Sequence, residues 1–185
     1  GNMPRVLNQS IPTTDGGEQE PATCVANPEF TAETPRLAAM TTKALELLQN
    51  DNGFLLQVES ASPDKADHQA DACGLIGEVG QLDEAVQAVQ DWVNKTGEET
   101  LIVATADHAH TAQITYAGAN TAGRVTQLTT VEGSTMAVNF ATAKSNRDED
   151  ALGGQEHTGS QLRVAASGPG AANVTGQIDQ TDLFF

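Results

Sequence analysis

The chain has 185 residues, enough for one domain with a substantial core. It carries 25 acidic against 9 basic side chains, a formal net charge of −16, so nucleic acid and anionic lipid are poor partners. No apolar run approaches the roughly 18 residues that a membrane-spanning helix needs, so no such span is expected.

The carboxylates are scattered through segments with strand and helix patterns, which reads as an acidic folded surface rather than a disordered tail. A salt-adapted (halophilic) source is one explanation; an ordinary acidic secreted protein is the other. The chain opens Gly1-Asn2-Met3-Pro4, without a start methionine or a charged-then-apolar leader. An export signal is therefore expected upstream or removed, and the chain is expected to be a fragment or processed piece.

Residues 1–33 are rich in Pro, Gly, Thr, Asn and acid and read as an irregular surface segment; residues 34–185 read as the folded part. Thr34-Pro35 has the form of an N-cap followed by proline at the first helical position. Leu37, Met40, Ala44, Leu47 and Leu48 follow at helical spacing, and Asn50 to Gly53 stops that helix. Phe54 to Val58 is a continuous apolar run of buried-strand type, and Ser62-Pro63-Asp64 repeats the cap-and-proline start. Leu82, Val86, Val89 and Val93 mark a longer helix closed by Gly97, and Thr100 to Thr105 is a second buried strand. Thr135 to Phe140 and Gln161 to Ala166 are further strand candidates, with a polar loop from Ala141 to Gln155 between them and a helix start at Asp179 to Asp182. Helices alternating with apolar strands predict an α/β sheet covered on both faces, with sites beyond the carboxyl ends of its strands.

Potential metal ligands cluster at such ends: Glu59, then Asp64 and His68, then Asp107-His108, and finally His157. Asp64 and His68 are four apart on a predicted helix, which places both on one face where a carboxylate and an imidazole can share a zinc ion. His157 is the natural third ligand, leaving an open position. Asp107 and His108 are adjacent and can converge on a second metal only from a turn. Glu59 offers oxygen alone and suits a hard ion such as Mg²⁺. Each element has a plain reading as well: solvated helix pairs, capping or salt-bridging carboxylates and lone histidines are common. The joint occurrence at strand ends favours metal. Cys24 and Cys73 form one possible pair, away from these clusters, and either a disulfide or two reduced buried thiols fits their spacing.

Three motifs then show a resemblance. Phe54-Leu-Leu-Gln-Val-Glu-Ser-Ala-Ser-Pro-Asp-Lys-Ala-Asp-His68, Thr105-Ala-Asp-His-Ala-His110 and Gln155-Glu-His-Thr-Gly-Ser-Gln-Leu-Arg163 closely resemble bacterial alkaline phosphatase. Leu82 to Val86 and Asp179 to Phe184 match as well, so the likeness runs through nearly the whole chain. It implies a three-layer α/β/α sandwich with a central, mostly parallel sheet, of which this chain is the C-terminal part. It implies that Asp64, His68 and His157 hold a first zinc, Asp107 and His108 a second, and Glu59 a magnesium ion. Lys65 resembles the lysine that reaches the substrate phosphate through water, and His110 the nearby histidine that supports the ligands. Cys24 and Cys73 match a disulfide pair, which implies a periplasmic or secreted protein. The implied activity is hydrolysis of phosphate monoesters at alkaline pH through a phosphoserine intermediate, in a homodimer, with no nucleic-acid or membrane partner.

The family's nucleophilic serine motif, its phosphate-gripping arginine and its metal-bridging aspartate have no counterpart here, and Arg124, Arg147 and Arg163 stand in other contexts. The resemblance implies that these groups belong to a missing N-terminal half. Ser60 stands where the family usually has glycine, and the chain stops at Phe185, short of the family's terminal helix. Two other readings compete: a metal-hydroxide phosphodiesterase of the same superfamily that needs no serine, and a non-enzymatic acidic domain that holds Ca²⁺ weakly.

Overall fold

The computed structural model describes residues 3–10, 14–15, 19–119, 121–143 and 154–184, with the backbone alone at 14–15. Among these residues the three α-helices follow one another directly, between an N-terminal and a C-terminal set of short strands, and do not alternate with strands as the sequence pattern predicts. Strands β1 (Leu7–Gln9), β2 (Thr14–Asp15) and β3 (Cys24–Ala26) precede helices α1 (Leu37–Leu48), α2 (Ser62–His68) and α3 (Ala72–Thr96). Strands β4 (Ile102–Ala104), β5 (Ala112–Thr115), β6 (Arg124–Thr129), β7 (Thr135–Phe140) and β8 (Ala165–Ser167) follow, with 3-10 turns at Ala171–Val174 and Gln180–Phe184.

The described residues do not form the mostly parallel central sheet of a three-layer sandwich. Three small sheets are present: β1-β3, β2-β6-β7-β5 and β4-β8, each paired antiparallel throughout. A parallel strand needs neighbouring strands on the same sheet. Phe54 to Val58, read as such a strand, has no strand partner among the described residues, and Leu55 is 94% exposed. The apolar run at 100–105 becomes β4, whose neighbour is β8 in antiparallel register, Val103 opposite Ala166.

The N-terminal segment is not wholly irregular. β1 pairs with β3, and Ala22, fully buried, bridges to Leu128 of β6. This segment also caps α3. Asp71 accepts from the Gly74 N–H at the N-terminus of α3 while Arg5 donates to its other oxygen at 2.5 Å, and Gln9 Oε1 accepts from Ala72 N–H at 2.6 Å. Such caps satisfy amide donors that the first helical turn leaves open.

Helix α1 begins two residues later than Thr34-Pro35 suggests. Thr34 Oγ1 is taken by the Thr31 N–H in a preceding turn, so Arg36 becomes the N-cap, without a side-chain cap bond. What sets the entry is tertiary: Arg36 donates two bonds to Glu84 of α3, at 2.9 and 2.6 Å, and Gln81 Oε1 accepts from Leu37 N–H. Helix α3 closes at Gly97 in the left-handed region (φ 74°), as its sequence predicts.

Strands β5 and β6 carry no clear strand pattern. β6 reads Arg-Val-Thr-Gln-Leu-Thr, yet Val125, Thr126, Gln127 and Leu128 are all buried. The core gathers Ala22, Ala70, Ala72, Cys73, Leu128, Val138, Phe140 and Ala143. A disulfide joins Cys24 to Cys73 and so links β3 to the first turn of α3 inside that core. The polar loop expected at 141–155 falls mostly on residues 144–153, which lie outside the described residues.

Candidate metal centre

Helix α2 places Asp64 in its first turn and His68 in its last, with Pro63 fixing the entry. The helix ends in a tight reversal: Ala70 N–H donates to Asp67 C=O and Asp71 N–H to Ala66 C=O, both at 2.9 Å. This is the doubled bond pattern of a Schellman cap. Ala70 occupies the left-handed position (φ 54°) where glycine is usual, at a cost of about 1 kcal/mol. The reversal leads α2 directly into the disulfide-anchored start of α3.

Two other segments meet α2. After β4 the chain turns through Asp107 to His110. The stretch 154–158 lies against both: Thr158 N–H donates to Ala109 C=O at 2.8 Å, and Gln155 N–H to His68 C=O at 3.1 Å. Only glycine fits at 154, since a Cβ there would stand 1.5 Å from the His68 carbonyl oxygen.

These three segments bring all four histidines of the chain to one carboxylate oxygen. Asp64 Oδ1 lies 2.7 Å from His110 Nε2, 3.3 Å from His157 Nε2, 3.5 Å from His68 Nε2 and 3.6 Å from His108 Nε2. His68 Nε2 and His157 Nε2 approach to 3.0 Å. The rings of His108 and His157 stack, with centroids 3.5 Å apart. His68 Nδ1 donates to the Gln155 carbonyl at 2.7 Å, which leaves the lone pair on Nε2, the atom that faces Asp64.

Asp64, His68, His110 and His157 together form a group whose ligand atoms lie within 4.8 Å of one another, so it could hold a metal ion. The donor set suits zinc. A tetrahedral zinc with bonds of about 2.0–2.1 Å separates neighbouring ligand atoms by roughly 3.3 Å. The triangle of Asp64 Oδ1, His68 Nε2 and His157 Nε2 has edges of 3.5, 3.3 and 3.0 Å. Two buried imidazole nitrogens nearby, His108 Nδ1 and His110 Nδ1, on the far side of their rings from the nitrogens that face Asp64, have no hydrogen-bond partner.

Burial pushes the Asp64 carboxyl up, but the hydrogen bond from His110 and the charges of His68, His110 and His108 outweigh it and hold the carboxyl below its ordinary range. Asp67, one turn along, behaves oppositely. Burial raises it to about 6, the Asp64 charge adds to the rise, and His110, His68 and the bond from Gln155 offset only part of it. Adjacent carboxylates in different surroundings thus separate into a charged one facing the histidines and a readily protonated one beneath them.

Of the residues singled out from sequence, Asp64, His68, His108, His110 and His157 are brought together. Asp107 is more peripheral: its Oδ2 is 3.7 Å from His108 Nε2, and its side chain is 86% exposed. Glu59 is exposed and lies outside the Asp64 group, and Lys65 is exposed on α2 beside Asp64. Sequence reasoning passed over Gln155 and Asp67. Both lie inside the recognised motifs, but nothing in a sequence distinguishes a buried glutamine from a loop glutamine.

Comparison with known proteins gives a consistent answer. The family model of alkaline phosphatase matches residues 20–150. Alkaline phosphatase H of Pseudomonas aeruginosa is 51% identical over 187 aligned positions, covering 100% of this chain and 38% of that protein. The alkaline phosphatase of Escherichia coli is 49% identical with the same coverage. Streptomycin-6-phosphate phosphatase of Streptomyces griseus is 40% identical over 94% of this chain and 39% of its own length. The chain therefore spans about two-fifths of the length of these relatives.

Proposed function

Because the chain belongs to the alkaline phosphatase family, we propose that the protein carrying it hydrolyses phosphate monoesters at alkaline pH, using two zinc ions and one magnesium ion. The observation that carries this reading is the convergence of four histidines on Asp64 Oδ1. In this reading Asp64, His68 and His157 hold the first zinc, Asp107 and His108 contribute to the second, and Glu59 serves magnesium. Ions bound there supply Lewis-acid stabilisation of the charge that develops on the attacking and leaving oxygens.

The chain's own side chains prepare that site. His68 is held in one tautomer by the Gln155 carbonyl. His110 donates to Asp64 Oδ1 at 2.7 Å, orienting the carboxylate and keeping it charged. Lys65, exposed next to Asp64, offers a cation to an incoming phosphate dianion. The nucleophilic serine belongs to a part of the protein outside this chain, and the intermediate is its phosphate ester. The Cys24–Cys73 disulfide supports a periplasmic or secreted location, since such bonds persist in oxidising compartments. A homodimer is the assembly that goes with this reading.

The test is an assay of the full protein on p-nitrophenyl phosphate at alkaline pH, with Zn²⁺ and Mg²⁺ and in parallel after chelation. Turnover that chelation abolishes and zinc restores is expected. Turnover indifferent to chelation, or confined to phosphodiesters, would overturn the proposal.

A further inference from the structure

Gln155 is fully buried, yet every polar group it presents is engaged. Its side-chain Nε2 donates to Asp67 Oδ1 at 2.9 Å, and its Oε1 accepts from Thr111 Oγ1 at 2.6 Å. Its main-chain N–H donates to the His68 carbonyl at 3.1 Å, and its own carbonyl accepts from His68 Nδ1 at 2.7 Å.

The ends of these bonds are not scattered. Asp67 is the residue before His68 on α2; Thr111 is the residue after His110; Gln155 stands two before His157. One side chain therefore fastens together the three segments that carry all the histidines. Thr111 extends the brace, bonding Thr142 Oγ1 at 2.9 Å, which in turn accepts from Glu156 N–H at 3.2 Å.

We propose that Gln155 is a positioning residue that sets the metal affinity of the Asp64 group, by locking α2, the turn after β4 and the His157 segment into one frame. The inference rests on the reading that this group holds zinc. Groups behind metal ligands hold them in register, and losing one typically weakens binding by about 10–100-fold. Gln155 does so twice over, through its main chain on the His68 ring and through its side chain on the backbone spacing.

The test replaces Gln155 with methionine, which keeps the volume and removes the side-chain hydrogen bonds. Zinc affinity of the full protein is measured by competition with a chromophoric chelator, and the visible absorption of the Co²⁺-substituted protein reports ligand geometry. Gln155→Met is expected to weaken zinc by about 10–100-fold and to alter the Co²⁺ bands. Leu45→Ala, a buried residue of α1, a helix that carries none of the residues of the site, is expected to lower stability while leaving both readouts unchanged. Should Gln155→Met fail to fold, Thr111→Val carries the test, with a several-fold loss expected. An affinity within twofold of the parent and an unchanged Co²⁺ spectrum would overturn the inference. A parent protein that binds no zinc at the Asp64 group would overturn the metal reading, and this one with it.

Discussion

Replacing Asp64 with alanine is expected to cripple the proposed zinc binding at the histidine group and to lower stability at the same time. All four histidines address Asp64 Oδ1 within 3.6 Å, so its loss removes one ligand and releases the others from their common focus. A partner behind a ligand is worth about 10–100-fold in metal affinity, so the loss for a ligand itself is expected at about 100-fold or more. The stability effect has a separate cause. The His110 side chain is only 5% exposed, its Nδ1 has no partner, and its Nε2 is bonded to Asp64. Alanine at 64 leaves that second nitrogen unpaired as well, at a cost of about 1–3 kcal/mol. Asp64→Asn separates the two effects. It returns an acceptor to His110 and should recover most of the stability, but it lacks the charge and should not recover zinc. Zinc content by mass spectrometry and urea midpoints of both variants check this; equal zinc in Asp64→Asn and the parent would remove Asp64 from the ligand set.

The second large effect concerns the disulfide. Cys24 and Cys73 are separated by 49 positions, and a cross-link closing a loop of that length stabilises by about 4 kcal/mol on the chain-entropy account. Folded domains hold only about 5–15 kcal/mol in all, so the Cys24→Ala/Cys73→Ala protein is expected to lose roughly a quarter to four-fifths of its stability. The entropic origin makes a further demand: without the cross-link the unfolded chain is more expanded, so the denaturant slope rises as the midpoint falls. Matched urea curves test both. Coincident midpoints would mean that the bond is incidental to stability. The effect reaches the site because the bridged turn of α3 follows directly on the reversal that ends α2.

How far the residues alone disclose this molecule depends on whether the deciding interaction is local. Gly97 announces the end of α3 because a left-handed cap depends on the backbone of one residue. Pro63 marks the start of α2 for a similar reason. The start of α1 is set by Arg36 gripping Glu84 some 48 positions away, so a local cap signal at Thr34 points to the wrong residue. Phe54 to Val58 shows the same limit. A continuous apolar run reports that a segment suits burial, not which elements are there to bury it, and Leu55 stands 94% exposed. Strand β6 was hidden by the reverse effect, since the buried Thr126 and Gln127 mimic a solvated face.

The gathering of the histidines was legible because imidazole is scarce here, four residues in 185, and all four fall in clusters at segment ends. Their division between metals was not, since it depends on distances of a few tenths of an ångström. His110, which resemblance assigns a supporting part, makes the shortest approach of any histidine to Asp64, at 2.7 Å. Gln155 escaped notice because its importance lies wholly in what it touches.

The most direct measurement is a crystal of the full protein grown with zinc, with anomalous scattering recorded above and below the zinc edge. A peak bonded to Asp64 Oδ1, His68 Nε2 and His157 Nε2 is the predicted result. A clear map with no peak within bonding distance of those atoms, or with zinc only on scattered surface carboxylates, would contradict the account.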